Sequence, residues 1–95
     1  MTTPIRVIST AIKTRRVIRF RYKLLMRRVE PYTLGYDKRG QLTLRGWQLS
    51  GLRPRLRNYR LARLSDVSTT DTRFDEPRRG YDRSDSTLTQ ILARV

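Results

Sequence analysis

The spacing of apolar residues changes near residue 17, and that change divides the chain. Ile5, Ile8, Ala11 and Ile12 fall on one face at helical spacing. Thr2 and Thr3 are residue types that cap helix starts, and Pro4 suits the first turn. Lys13, Arg15 and Arg16 close the segment at its electronegative end. The spacing predicts an amphipathic helix over residues 3–14, with its stripe on the core. From Val17 the period is two: Ile18, Phe20 and Tyr22 face one way, Val17, Arg19 and Arg21 the other.

The strands that follow are read from their turns. Lys23 to Arg27 must reverse the chain, yet the segment holds no Gly, Asn, Asp or Pro. Leu24, Leu25 and Met26 at a hairpin tip are expected to bury against the helix; the alternative is a contact for another chain. Residues 28–36 form a second strand, in which Pro31 implies an edge or a bulge. Asp37-Lys38-Arg39-Gly40 is a turn, and Gln41 opens a third strand carrying Leu42 and Leu44. At Gly46 the apolar parity moves to Trp47 and Leu49, which predicts a bulge or bend. Ser50-Gly51 turns into an arginine-rich strand, and a last short strand runs from Leu64 to Thr69, with Leu64 and Val67 inward.

Past residue 70 the composition shifts. Asp71 to Asp85 is rich in Asp, Arg, Gly, Pro and Ser, with Phe74 and Tyr81 as anchors. An irregular segment laid on the barrel is expected there. Ser84 or Asp85 then caps a short final helix, with Leu88, Ile91 and Leu92 on one face. The fold class is therefore mostly β: an N-terminal helix, a five-stranded antiparallel and partly open barrel over residues 1–70, and a tail over 71–95.

Charge sharpens the picture. Residues 1–64 hold 14 Arg and 3 Lys against Glu30 and Asp37, whereas residues 65–95 hold 5 Arg against 6 acids. The excess sits in the first two thirds and points to an anionic partner, with nucleic acid first. It is densest at Arg53, Arg55, Arg57, Arg60 and Arg63, where arginines alternate with apolar or small residues. Such a strand presents planar donors suited to phosphates and base edges. The alternative is a solvated edge strand whose charge blocks unwanted pairing.

Other chemistry is excluded or unsupported. The chain has no Cys and no His, which removes disulfides, the usual zinc sites and His-based acid/base catalysis. No cofactor is implied. The acids are scattered, and Asp75-Glu76 is their only adjacent pair, so an enzyme is disfavoured. No apolar run approaches a membrane span and no signal-peptide core follows the start, which suggests a soluble, cytoplasmic protein without a membrane partner.

Three segments carry a resemblance. Ile8, Ala11 and Ile12 followed by Arg16-Val17-Ile18-Arg19-Phe20-Arg21-Tyr22 are similar to the opening helix and first strand of bacterial WYL domains. Arg28-Val29-Glu30-Pro31-Tyr32-Thr33-Leu34 resembles their second-strand signature, and Arg57-Asn58-Tyr59-Arg60-Leu61-Ala62-Arg63-Leu64 their closing run. The Trp-Tyr-Leu tripeptide that names the family would fall at Leu42-Thr43-Leu44, where only the leucine is kept. Thr43 can donate a hydrogen bond but cannot stack. The acid usual in the closing run is Ala62. The resemblance implies an Sm-like, SH3-type barrel and a regulatory role in response to a nucleic-acid or nucleotide ligand, in some cases single-stranded DNA. Such domains usually follow a winged helix, which this sequence lacks, so a stand-alone sensor, an accessory protein or an excised domain is expected.

The resulting expectation is a nucleic-acid-binding regulatory module acting in transcription or a nucleic-acid-related defence system. Arg57, Arg60 and Arg63 match the family's basic positions. Arg19, Arg21, Arg28, Arg45, Arg53 and Arg55 are nominated by charge, with Thr43 and Trp47 beside them. The arginines would neutralise phosphate, while Tyr59, Tyr32 or Trp47 could offer a stacking face. Single strands are favoured, because no helix is suited to reading a groove. The alternative is a dimerisation or effector-docking module acting through Leu24, Leu25 and Met26.

Overall fold

A computed structural model describes residues 3–84 and 86–95. The helix forms where its pattern places it, as α1 (Pro4–Thr14). Thr3 caps it by accepting the Arg6 amide at 3.3 Å, and Pro4 opens it. Thr2 lies outside the described residues. Arg15 ends the helix in the left-handed conformation, φ 54°. Ile8, Ala11 and Ile12 are buried, whereas Ile5 sits at the open end of the stripe and is exposed.

Six strands follow: β1 (Arg16–Tyr22), β2 (Leu25–Asp37), β3 (Leu42–Ser50), β4 (Arg55–Arg60), β5 (Ser65–Arg73) and β6 (Leu88–Arg94). A 3-10 turn at Leu61–Arg63 separates β4 from β5. All pairings are antiparallel, in the order β4-β3-β2-β1-β5, and β6 joins β2. The sheet does not close, so the chain is a mostly β fold with one N-terminal helix packed on an open, curled sheet.

The long β2 is the spine. Its first half pairs with β1 up to Val29 and its second half with β6 from Thr33 onward. Pro31 falls where β2 changes partner, a place where no amide is needed for a ladder. Opposite it the register slips: Pro31 faces Gly46 and Thr33 faces Arg45, leaving Tyr32 as the extra residue of a bulge. The bend expected at Gly46 is thus a bulge in the facing strand. Gly46 is nonetheless required, since a Cβ there would lie 2.5 Å from the Glu30 carbonyl oxygen.

Two apolar clusters result. The larger joins Ile8, Ala11 and Ile12 of the helix to Ile18, Phe20, Val29, Leu34, Leu44 and Tyr59. Leu64 and Val67 both pack at its margin although they differ in parity, because the strand is irregular between them, with Asp66 left-handed at φ 54°. The smaller lies around Val17, Tyr32 and Phe74, with Trp47, Leu56 and Tyr81 against it. Residues 74–81 cross this second face, so Phe74 and Tyr81 do anchor the segment after β5. The Phe74 amide is tied to the Arg15 carbonyl at 3.0 Å.

Two expectations are corrected. The segment 88–94 is a strand, not a helix: Leu88 and Ala93 are buried while Ile91 and Leu92 are exposed. The open second half of β2 offers it a ladder, which outweighs its helical spacing. Of the two expected caps, Asp85 lies outside the described residues, and Ser84 instead donates to Asp82 Oδ1. The hairpin tip is not buried either. Its turn is only Lys23-Leu24, both left-handed at φ 52° and 66°, which leaves Leu24 92% exposed and Leu25 and Met26 42% and 38% exposed.

Candidate functional site

Where β3, β4 and the 3-10 turn meet, a cavity of about 180 Å³ opens, lined by Tyr22, Asp37, Gln41, Thr43, Asn58, Arg60, Arg63 and Thr87. Arg60 stands directly across the ladder from Thr43, and Asn58 across from Arg45. Their side chains therefore leave the sheet on one side. The 3-10 turn breaks the β4 alternation after Arg60 and swings Arg63 to the same cavity. Thr43 is buried and donates to the Gln41 carbonyl at 3.0 Å. Asp37 sits on the rim, with Oδ1 taking the Arg39 and Gln41 amides at 2.9 Å each. Its charge is spent largely on shaping the turn.

The other nominated residues are spread more widely. Arg45 lies beside the cavity, its Nη1 donating to Asn58 Oδ1 at 2.9 Å. Arg55 and Arg57 do share one face of β4 with the buried Tyr59; Arg55 at its end is exposed, whereas Arg57 is half-buried. The Arg57 guanidinium stacks over Tyr22 and Tyr59, at 5.3 and 5.5 Å from the ring centroids. Arg53 lies in the preceding turn, its carbonyl accepting Gln48 Nε2 at 3.1 Å. Arg19, Arg21 and Arg28 sit on β1 and β2 and share no residue with the cavity. Trp47 is half-buried, with the Arg78 guanidinium 5.6 Å from its ring.

The tyrosines named as stacking faces are in the interior. Tyr59 meets Phe20 and Tyr22 edge-on, at 4.9 and 5.3 Å between centroids. Burial pushes its hydroxyl up to about 12, an effect that the nearby Arg57, Arg27 and Arg55 partly offset. Tyr32 is also held well above its ordinary value, first by burial and then by its 2.7 Å hydrogen bond to Glu30 Oε1. Glu30 in turn pairs with Arg78 at 3.1 Å, and that bond raises the Arg78 pKa.

Sequence reasoning missed Tyr22, Gln41, Asn58 and Arg27. Asn58 shares parity with Arg60, and that signal was available. Arg27 was hidden by the expected long turn. With the turn reduced to two residues, Arg27 pairs with Phe20 and its side chain enters the core at 2% exposure.

A family model for the WYL domain matches residues 4–69. The chain belongs to the WYL domain family. This WYL domain thus sits among regulatory, ligand-sensing domains rather than catalysts. No curated protein and no solved structure matches it. Within this WYL domain the cavity brings Arg60 and Arg63 together with Thr43. Among the described residues no cluster of three or more acids is placed to hold a metal, and no helix is long and apolar enough to cross a membrane.

Proposed function

We propose that this WYL domain is a regulatory sensor that binds single-stranded DNA or RNA at the Arg60–Arg63 cavity. It would act in the cytoplasm, in transcription or a nucleic-acid-related defence system, on an Sm-like, SH3-type barrel. The observation that carries this reading is the convergence of Arg60, Arg63, Thr43, Asn58 and Gln41 on one polar cavity. The arginines take phosphate, and the amides and the Thr43 oxygen supply directional contacts to a base or sugar. With Tyr59 and Tyr32 in the interior and Trp47 under Arg78, stacking contributes little, so binding leans on charge.

Fluorescence anisotropy with labelled single-stranded DNA, duplex DNA and RNA across a salt series tests this. The expected result is a preference for single strands and a slope reflecting roughly three or more released counterions. Arg60→Ala/Arg63→Ala should weaken binding about tenfold or more without unfolding. Equal, weak binding to every polyanion, heparin included and indifferent to those substitutions, would sink the reading.

The exposed hairpin tip at Leu24, Leu25 and Met26 favours a second reading. In it the domain dimerises or docks on an effector protein, and the positive charge serves solubility. Concentration-dependent mass with salt-insensitive partner binding would support that alternative.

A further inference from the structure

A second set of arginines, which the cavity does not use, stands on β1 and β2. Ser68 of β5, Arg19 of β1, Arg28 of β2 and Ser50 of β3 lie in register across four strands. Residues directly opposite in an antiparallel ladder point the same way. The row therefore presents two guanidiniums flanked by two hydroxyls, and all four residues are exposed. Like charges placed directly opposite repel rather than hold the strands together.

The nearby carboxylates do not relieve this. Asp71 pairs with Arg16 at 3.6 Å and Asp66 with Arg21 at 3.8 Å. Arg28 Nη2 donates only to the Thr72 hydroxyl, at 3.0 Å, and Arg19 has neither a hydrogen bond nor an ion pair among the described residues. Beside the pair runs a groove of about 420 Å³ walled by Arg19, Met26, Arg27 and Arg28. Arg27 turns its guanidinium to the opposite, core face, where it has no carboxylate partner among the described residues. Its Nη1 reaches Gln48 at 3.0 Å, its guanidinium lies 5.0 Å from the Tyr22 centroid, and its Nε has no hydrogen-bond partner. Arg19 and Arg28 give the groove its exposed charge, and among the described residues no acid lines it.

We propose that this groove binds a phosphate group, carried either by a nucleic-acid backbone or by a small phosphorylated ligand. Arg19 and Arg28 supply the planar forks that fit a phosphate's oxygens. The bound anion removes the repulsion between the two arginines. The site is independent of the Arg60–Arg63 cavity, with which it shares no residue.

Titrating isotope-labelled protein with inorganic phosphate, while following the arginine Nε–Hε and backbone amide resonances, tests the site. Saturable shifts are expected at Arg19 and Arg28 and at the backbone amides of Ser50 and Ser68; read at those amides, affinity should be about tenfold weaker in Arg19→Gln/Arg28→Gln and unchanged in Arg60→Gln/Arg63→Gln. A short single-stranded oligonucleotide that displaces phosphate from these resonances identifies the backbone as the source; failure to displace it identifies a small ligand. Shifts that spread over all arginines without saturating, or that survive Arg19→Gln/Arg28→Gln, overturn the proposal. Loss of oligonucleotide binding in Arg60→Gln/Arg63→Gln bears on the cavity alone.

Discussion

Arg27 and Tyr59 donate to the same oxygen, Gln48 Oε1, at 3.0 and 2.7 Å. Gln48 is fully buried, and its Nε2 is held by the Arg53 carbonyl at 3.1 Å, so the amide cannot rotate its oxygen away. A neutral acceptor thus ties a buried cation to a buried phenol and to the turn that opens the arginine strand. Gln48→Leu removes the acceptor and leaves both donors dry. It should cost about 3 kcal/mol in urea unfolding. Gln48→Glu offers Arg27 a carboxylate and should cost less than Gln48→Leu. The reverse order would mean that packing, not the shared acceptor, governs this position.

Stability should fall at high pH. Tyr59 binds its proton more tightly folded, at about 12, than its ordinary value of 10.0. Between those values the unfolded chain has released the proton and the folded one keeps it, so stability declines as pH rises. The contribution is whole below pH 10 and lost on passing through about 12; for Tyr59 it is on the order of 3 kcal/mol. Tyr32 is raised in the same direction and adds to the loss. Urea midpoints taken from pH 9 to pH 12 should drop, and the drop should shrink in Tyr59→Phe.

Gly46→Ala should destabilise by about 2 kcal/mol. The added methyl would meet the Glu30 carbonyl oxygen at 2.5 Å and Val29 Cγ1 at 2.8 Å, and a strand bulged at Tyr32 has little freedom to retreat. Gly40→Ala is the control, since its site in the Asp37 turn is open. It carries only the cost of a left-handed backbone at φ 76°, about 1 kcal/mol. Equal costs at the two glycines would show that the β2–β3 contact is not close.

Local periodicity made α1 and β1 legible, and Asp-Lys-Arg-Gly marked the β2–β3 turn. What the sequence hid depended on partners. Lys23-Leu24 makes a two-residue turn without turn residues, because pairing of Tyr22 with Leu25 holds it in a conformation neither residue favours. Once that turn was read as five residues, Arg27 could not be placed in the core. Leu88, Ile91 and Leu92 carry helical spacing, yet the free edge of β2 takes the segment as a strand. At the cavity, Arg60 and Arg63 were readable from the closing run. Gln41 and Thr87 reach it from turns and carry no periodic signal.

Arg78→Ala should uncover Trp47. The guanidinium lies over the indole and is fixed there by Glu30, whose other oxygen holds Tyr32. Removing it exposes the ring, so tryptophan emission should shift to the red and acrylamide quenching should rise. Arg78 is half exposed but the Glu30 carboxylate is only 6% exposed, so the variant also leaves a buried charge without its cation and stability should fall. An unchanged spectrum would show that the 74–81 crossing does not cover Trp47 in solution.

Ending the chain before β6 should abolish cooperative folding, even though the family match stops at residue 69. β6 supplies the ladder that β2 lacks after Pro31, and Ala93 enters the same core as Ile8 and Ile12. The Val95 amide donates to the Tyr32 carbonyl at 2.8 Å, satisfying the residue that the bulge leaves out of the β2–β3 register. Without β6 the second half of β2 becomes an open edge beside an uncovered core. A chain ending at residue 87 should show no cooperative urea transition, and Ala93→Asp in the full chain should reproduce the defect by burying an unpaired charge. Ile91→Ala should be nearly silent, since that side chain points to solvent. A cooperative transition in the shortened chain would instead make residues 1–87 a self-sufficient unit and β6 an accessory strand.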